Sequence, residues 1–251
     1  MIETLIALFA AHVLADYVFQ STKVAENKHR LGYLALHGLI VLGTATALTG
    51  AFTTPIYVLT ALHITTDFFK ASYERNALNK DKPQINAHLA DQLIHLFTLS
   101  AVAYFAPGLW HAGIWAQAPD WVPYILLLIS GAIYATRAGG FAVGILMSQY
   151  GSEFSKDSLP GGGQMIGFLE RGLIYVFIIA DQPVGIGFLI AAKSVLRFET
   201  AKDGEVHKNR RRSEYVIIGT LASFGWAILV SLAILFLLAQ LPGLGILTPK
   251  S

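Results

Sequence analysis

Eight apolar runs occupy most of this chain, at about residues 3–20, 33–50, 54–70, 86–106, 122–147, 165–181, 184–198 and 214–240. Backbone groups in a bilayer must be satisfied internally, so such runs form either helices or a closed barrel. The alternating short segments of a barrel are absent, which leaves helices. Only 14% of the 251 residues are charged and 54% are hydrophobic, whereas a soluble domain carries about 25% charged residues. The expected fold is all-α, a polytopic transmembrane helical bundle of about eight spans. Runs six and seven fall short of the roughly 20 residues of a full crossing. Asp181-Gln182-Pro183 separates them, and proline cannot easily continue a helix. The segment 165–198 is therefore expected to hold two short helices, tilted or re-entrant.

Lysine and arginine follow alternate loops. Lys23, Lys28 and Arg30 follow the first run, and Lys70, Arg75, Lys80 and Lys82 the third. Lys156 follows the fifth, and Lys202, Lys208, Arg210, Arg211 and Arg212 the seventh. By the positive-inside rule these loops are cytoplasmic and both termini lie outside. The expected location is a bacterial cytoplasmic (inner) membrane, crossed many times. No cleavable signal peptide is expected, because only Glu3 precedes an apolar run that itself contains His12 and Asp16. The net charge of +2 follows the loops, so no nucleic-acid partner is expected. The chain has no cysteine, which excludes disulfides, thiolate ligands and a cysteine nucleophile. Three regions are expected within one membrane domain. They are a four-helix unit over 1–106, an external loop over 107–121 rich in tryptophan, and a second membrane unit over 122–251.

Against that apolar background four patterns stand out: His12-x3-Asp16, His37, His63-x3-Asp67 and Asp91-x3-His95. Ionisable groups inside membrane spans are costly and mark function by default. Residues four apart share a helix face, so three helices each offer an imidazole and a carboxylate on one stripe. The loop charges put all of them at one depth, near the cytoplasmic ends of the first four spans. Imidazole and carboxylate are the ligand types of zinc, manganese and iron. His12, His37, His63, Asp67 and His95 are the candidate ligands of a divalent metal, zinc foremost. Asp16 and Asp91 are the candidate catalytic carboxylates. Gln20, His88 and Gln92 are expected around them, completing the site or holding substrate. The competing readings are interhelical hydrogen bonding and a proton relay.

The ordered set His12-Val-Leu-Ala-Asp16-Tyr-Val-Phe-Gln20, His37, His63-Ile-Thr-Thr-Asp67-Phe-Phe-Lys70 and Asp91-Gln92-x2-His95 resembles the first half of a bacterial polytopic membrane family. That family is known as a domain of unknown function. The resemblance covers about residues 1–105 and implies no established activity. More distantly, the spaced His and Asp pairs resemble predicted membrane-bound metal-dependent hydrolases, and through them the helical zinc-dependent phospholipase C group.

A second group of charges lies in the later runs. Arg137, Arg171, Lys193 and Arg197 are candidate substrate-binding residues, with Glu170 and Glu214 beside them. Pro160-Gly161-Gly162-Gly163 leads into run six, and such a turn can present backbone N–H groups to an anion. The opposing reading is structural: cationic side chains near helix ends snorkel or pair with the glutamates.

Joined, the two constellations give the expected function, a metal-dependent hydrolase acting at the cytoplasmic face on a lipid or lipid-linked phosphoester. Its expected partners are membrane lipids, an anionic lipid-linked substrate and further copies of the chain. The first alternative is a transporter or an ion or proton pathway using the same His and Asp residues. Against it, the outer halves of the spans are nearly all apolar. The second alternative is a di-iron oxidase or hydroxylase, whose glutamate-rich or histidine-box patterns the chain lacks.

Overall fold

The computed structural model describes residues 1–76, 84–150, 159, 161–200 and 206–242, with the side chains of 196–200, 206–210 and 212 outside the description. These residues are helical throughout and contain no strand. The main elements are α1 (Ile2–Leu14), which continues as a π-helical turn over Ala15–Phe19, the short α2 (Thr22–Glu26), α3 (Leu31–Thr49), α4 (Thr54–Asn76) and α5 (Ile85–Phe105). They are followed by α6 (Leu109–Ala112), α7 (Trp121–Ile133), a second π turn over Tyr134–Ala138, α8 (Gly139–Ser148), α9 (Gly162–Ile179), α10 (Val184–Thr200) and α11 (Val206–Leu238).

Five segments among the described residues are long and apolar enough to cross a membrane: Ile2–Phe19, Leu31–Thr49, Trp121–Ser148, Gly162–Ile179 and Ser213–Leu238. They mark the chain as a membrane protein. The eight expected runs are all helical. However, α4 and α5 stand outside these five because His, Asp, Gln and Thr side chains dilute their apolar content. The helix α10 is apolar only over Val184–Val195, in keeping with the shortness of its run.

The described residues form two compact units. The first comprises Met1–Ile133 with the stretch that begins at Phe236, and the second is Tyr134–Leu235.

In the first unit α1 is the central helix. Thr4, Ile6 to Val13 and Ala15 are all buried, so it is covered on every side. Its alanines at 7, 10 and 11 let neighbours approach closely, as small residues do between membrane helices. It packs against α3, α5 and α7, while α4 packs against both α3 and α5. The surrounding helices are patterned inside out. On α5 the buried face carries His88, Asp91, Gln92, His95 and Thr98, and the exposed face carries Leu89, Leu93, Ile94 and Phe97. A helix whose polar groups turn inward and whose leucines turn outward is adapted to lipid rather than water.

One end of this unit is clamped. Gly50 closes α3 in the left-handed conformation at φ 66°, which glycine adopts without a Cβ penalty. Its carbonyl accepts a hydrogen bond of 3.0 Å from the Ile114 N–H. Thr4 Oγ1 donates to the Pro107 carbonyl at 2.9 Å and accepts from the Trp110 N–H at 3.2 Å. Trp115 Nε1 donates to the Ala47 carbonyl at 2.8 Å. The residues expected as a tryptophan-rich loop are thus folded, through α6 and a 3₁₀ turn over Ile114–Gln117, onto the ends of α1 and α3.

Gly113 makes the closest approach in this clamp. A Cβ there would lie 2.2 Å from the Thr49 carbonyl oxygen and 2.8 Å from the Gly50 carbonyl carbon. Backbone cannot yield as a flexible side chain can. Gly113→Ala is expected to destabilise the protein by about 2 kcal/mol, read as a lower thermal unfolding temperature in detergent. Gly43→Ala, which would meet nothing within 4 Å, should leave that temperature unchanged or higher.

Candidate metal centre

At the end of the first unit opposite the clamp, α1, α3, α4 and α5 bring their His and Asp side chains together. His37, His63, Asp67, Asp91 and His95 are each no more than 3% exposed. The helical period places His63 and Asp67 on one face of α4 and Asp91 and His95 on one face of α5. Asp16 lies in the π turn that ends α1, an irregularity frequent at functional sites. The helices α3 and α4 meet closely here, since a Cβ on Gly38 would lie 2.2 Å from Ile64 Cδ1. That contact sits one residue from both His37 and His63.

The centre is built around an edge between two imidazoles. His37 Nε2 and His63 Nε2 are 3.2 Å apart. Asp67 Oδ2 lies 3.2 Å from the first and 3.5 Å from the second. Asp16 Oδ1 lies 3.4 Å and 3.3 Å from the same two nitrogens. Two triangles of ligand atoms therefore share one edge. A tetrahedral zinc with bonds of about 2.0–2.1 Å separates its ligand atoms by roughly 3.3–3.4 Å, close to these spacings.

Two further groups surround this edge. His12, Asp16, His63 and His95 each place a ligand atom within 4.8 Å of the others, as do Asp67, Asp91 and His95. The His63 and His95 rings stack at 3.9 Å with an interplanar angle of 10°. Gln92 links two helices: its Oε1 lies 3.3 Å from His12 Nε2 and its Nε2 donates to Asp91 Oδ2 at 3.2 Å.

Several buried atoms of the cluster have no hydrogen-bond partner. They are Asp16 Oδ1, Asp67 Oδ2, Asp91 Oδ1, and the Nδ1 atoms of His12, His37 and His95. The two carboxylate oxygens nearest the imidazole edge are thus close to ring nitrogens without receiving a hydrogen bond. Buried polar atoms are normally paired. His37, His63 and Asp67 form one group of ligand atoms that could hold an ion, and His12, Asp16, His63 and His95 another, so the donor set fits a divalent metal.

Of the residues expected at the periphery, Gln92 takes the place just described. His88 is buried with Nε2 unpaired, and half-buried Gln20 has Oε1 unpaired. Two lysines that were not among the expected site residues also belong to the site. Lys28 Nζ donates to Asp67 Oδ1 at 2.8 Å, and Lys70 Nζ donates to Asp91 Oδ2 at 3.0 Å. Glu74, one helical turn beyond Lys70, is half-buried, and burial raises its carboxyl above the ordinary range.

Beyond the imidazoles, toward the clamp, lies a cavity of about 10 Å³ lined by Leu8, Ala11, His12, Val41, Ala45, Leu59, His63 and Leu99. That is room for about one water. Its walls apart from the two histidines are aliphatic.

The second unit places the remaining candidates differently. Arg171 is buried, and its Nε donates to the Thr136 carbonyl at 3.0 Å while Nη1 donates to Ser223 Oγ at 3.0 Å. Trp226 Nε1 donates to the Tyr134 carbonyl at 3.1 Å. Both acceptors lie in the second π turn, where the regular helical ladder is interrupted. Gly140 and Gly167 make room for the guanidinium, their would-be Cβ atoms lying 3.1 Å from Nη2 and 3.0 Å from Nη1. Lys193 pairs with Glu170 at 2.6 Å. Arg137 and Glu214 are exposed, and the Arg197 side chain lies outside the described residues. Arg171 and Lys193 thus serve contacts inside their own unit.

The fold and the cluster define a helical membrane protein with a buried His/Asp centre. Residues 4–117 match the family described as "Protein of unknown function (DUF3307)", which supports the resemblance to an uncharacterised family. The match includes every residue of the centre and the clamp. No curated protein and no solved structure matches the chain.

Arg171→Met removes two buried hydrogen bonds from a charged donor. It is expected to cost about 1.5–3 kcal/mol for each bond to the charged group at most, read as a lower unfolding temperature. Lys193→Met would leave the buried Glu170 carboxylate without its 2.6 Å partner, and should lower the unfolding temperature as well.

Proposed function

We propose that the protein is a metal-dependent hydrolase of the bacterial cytoplasmic membrane, acting at the cytoplasmic face on a lipid or lipid-linked phosphoester. The observation that carries this reading is the pair of ligand triangles on the His37–His63 edge, with edges between 3.2 and 3.5 Å. Zinc is the metal that these distances and the N/O donor set suit best; manganese and iron accept the same ligand types. His37, His63 and Asp67 would hold it, with Asp16 Oδ1 against the same imidazole edge. His12 and His95, with ligand atoms near Asp16 and His63, would complete a second position or orient the first. A bound divalent ion supplies a water of lowered pKa and polarises a phosphoryl oxygen. Asp91 Oδ1, buried and unpaired beside His95, is the group suited to take the proton from that water.

The surroundings favour hydrolysis over transport. A transported ion needs a polar route to both faces. The clamp end offers an aliphatic plug above His12 and His63, and a folded cap beyond it. The basic loops support placing the cluster end toward the cytoplasm and eight crossings in all.

Elemental analysis of the purified full chain tests the metal. About one or two equivalents of zinc, manganese or iron are expected in wild type, with losses in His63→Ala and Asp67→Ala. Equal, negligible metal in all three would overturn the reading. Phosphate release from lipid phosphoesters in detergent tests the reaction. Asp91→Asn should retain the metal and lower kcat by about 10²–10⁴-fold. Movement of a cation across sealed vesicles with no phosphate release would replace the hydrolase by a transporter.

A further inference from the structure

The two lysines of the centre have a donor surplus. Lys28 and Lys70 each give one hydrogen bond to a buried carboxylate, Asp67 and Asp91 respectively. A lysine ammonium has three donors, so each keeps two. Their side chains are 12% and 23% exposed, placing them between the buried cluster and the outside. Each grips only the outward oxygen of its aspartate, while Asp67 Oδ2 and Asp91 Oδ1 point inward without a hydrogen-bond partner.

Charge points the same way. With neutral imidazoles, Asp16, Asp67 and Asp91 against Lys28 and Lys70 leave one net negative charge. One divalent ion turns that into one net positive charge, and two ions into three. A buried net charge is costly unless it is paired. Among the described residues, Glu74, half-buried and further out, adds negative charge beside Lys70. A loaded centre is therefore short of an anion, and the free donors sit where one would enter.

We propose that Lys28 and Lys70 form the phosphoryl-binding part of this centre, receiving the anionic group of the substrate at its mouth. The proposal rests on the metal reading above. It moves anion recognition from the basic residues of the second unit to two lysines of the first. Lysine is a common phosphate binder that acts as a point charge, and two of them flanking the ligand carboxylates would hold a phosphoryl group against the metal.

The test titrates inorganic phosphate, and separately phosphatidic acid in mixed micelles, into the zinc-loaded full chain by calorimetry. Zinc content is measured on the same samples. Lys28→Met and Lys70→Met should each weaken phosphoryl binding about tenfold or more and keep wild-type zinc. Lys28→Arg and Lys70→Arg, which retain the charge, should bind better than the methionine variants. Tighter binding of phosphatidic acid would assign the site to a lipid headgroup, and tighter binding of inorganic phosphate to a free anion; either supports the proposal. Unchanged phosphoryl affinity in folded, zinc-bearing methionine variants would overturn it. So would zinc loss in those variants, since the lysines would then only position ligands. A wild-type protein that takes up no zinc would instead sink the metal reading on which the proposal stands.

Discussion

Three carboxylates buried among aliphatic side chains must find positive charge, and the first unit is arranged around that demand. Asp16 reaches the His37–His63 edge from α1, Asp67 reaches it from α4, and Asp91 stands beside His95 on α5. Lysines come from outside to two of the three. Desolvated carboxylates in a bilayer would otherwise be too costly to keep ionised. The close approach of α3 and α4 at Gly38 follows from the same need, because it sets the imidazole edge on which both triangles rest.

The unit is consequently polarised along its axis. Threonine, glycine and tryptophan tie the clamped end together through backbone carbonyls, with no ionisable group of the cluster involved. The other end holds the cluster and the two lysines. Aliphatic residues of α1, α3, α4 and α5 separate them. The second unit solves a different problem with similar means: Arg171 and Trp226 give hydrogen bonds to carbonyls of a π turn. Its buried guanidinium thereby ties α9 to the π turn and to α11.

The sequence revealed most of the centre because helical geometry is local. His63 with Asp67, and Asp91 with His95, announce a shared face by spacing alone, and apolar surroundings make the signal strong. His37 has no partner on its own helix and was legible only through its depth. Lys28 was not legible as a site residue, since it follows the short α2 and no periodicity ties it to Asp67, which lies on α4. Lys70 could have been found, because it is three residues after Asp67 and so near the same face. The contacts of the second group were not legible, for a physical reason. Arginine shows no sign in sequence of whether its donors meet a ligand or backbone carbonyls, and the π turn that claims Arg171 leaves no compositional mark. The fold class was legible from composition. The folded clamp was not, because it depends on the backbone approach of Gly113 to Gly50.

The π turn at the end of α1 carries a lesson for comparing this chain with its kin. A wider turn holds an extra residue without lengthening the helix by a full step, so spacing across it no longer reports a constant angle. A relative with an ordinary turn there could keep the same cluster while its aspartate stands one place away from His12-x3-Asp16. Alignments that forbid a single-residue gap between α1 and Gln20 would then match the wrong side chain to the centre and mistake a retained ligand for a lost one.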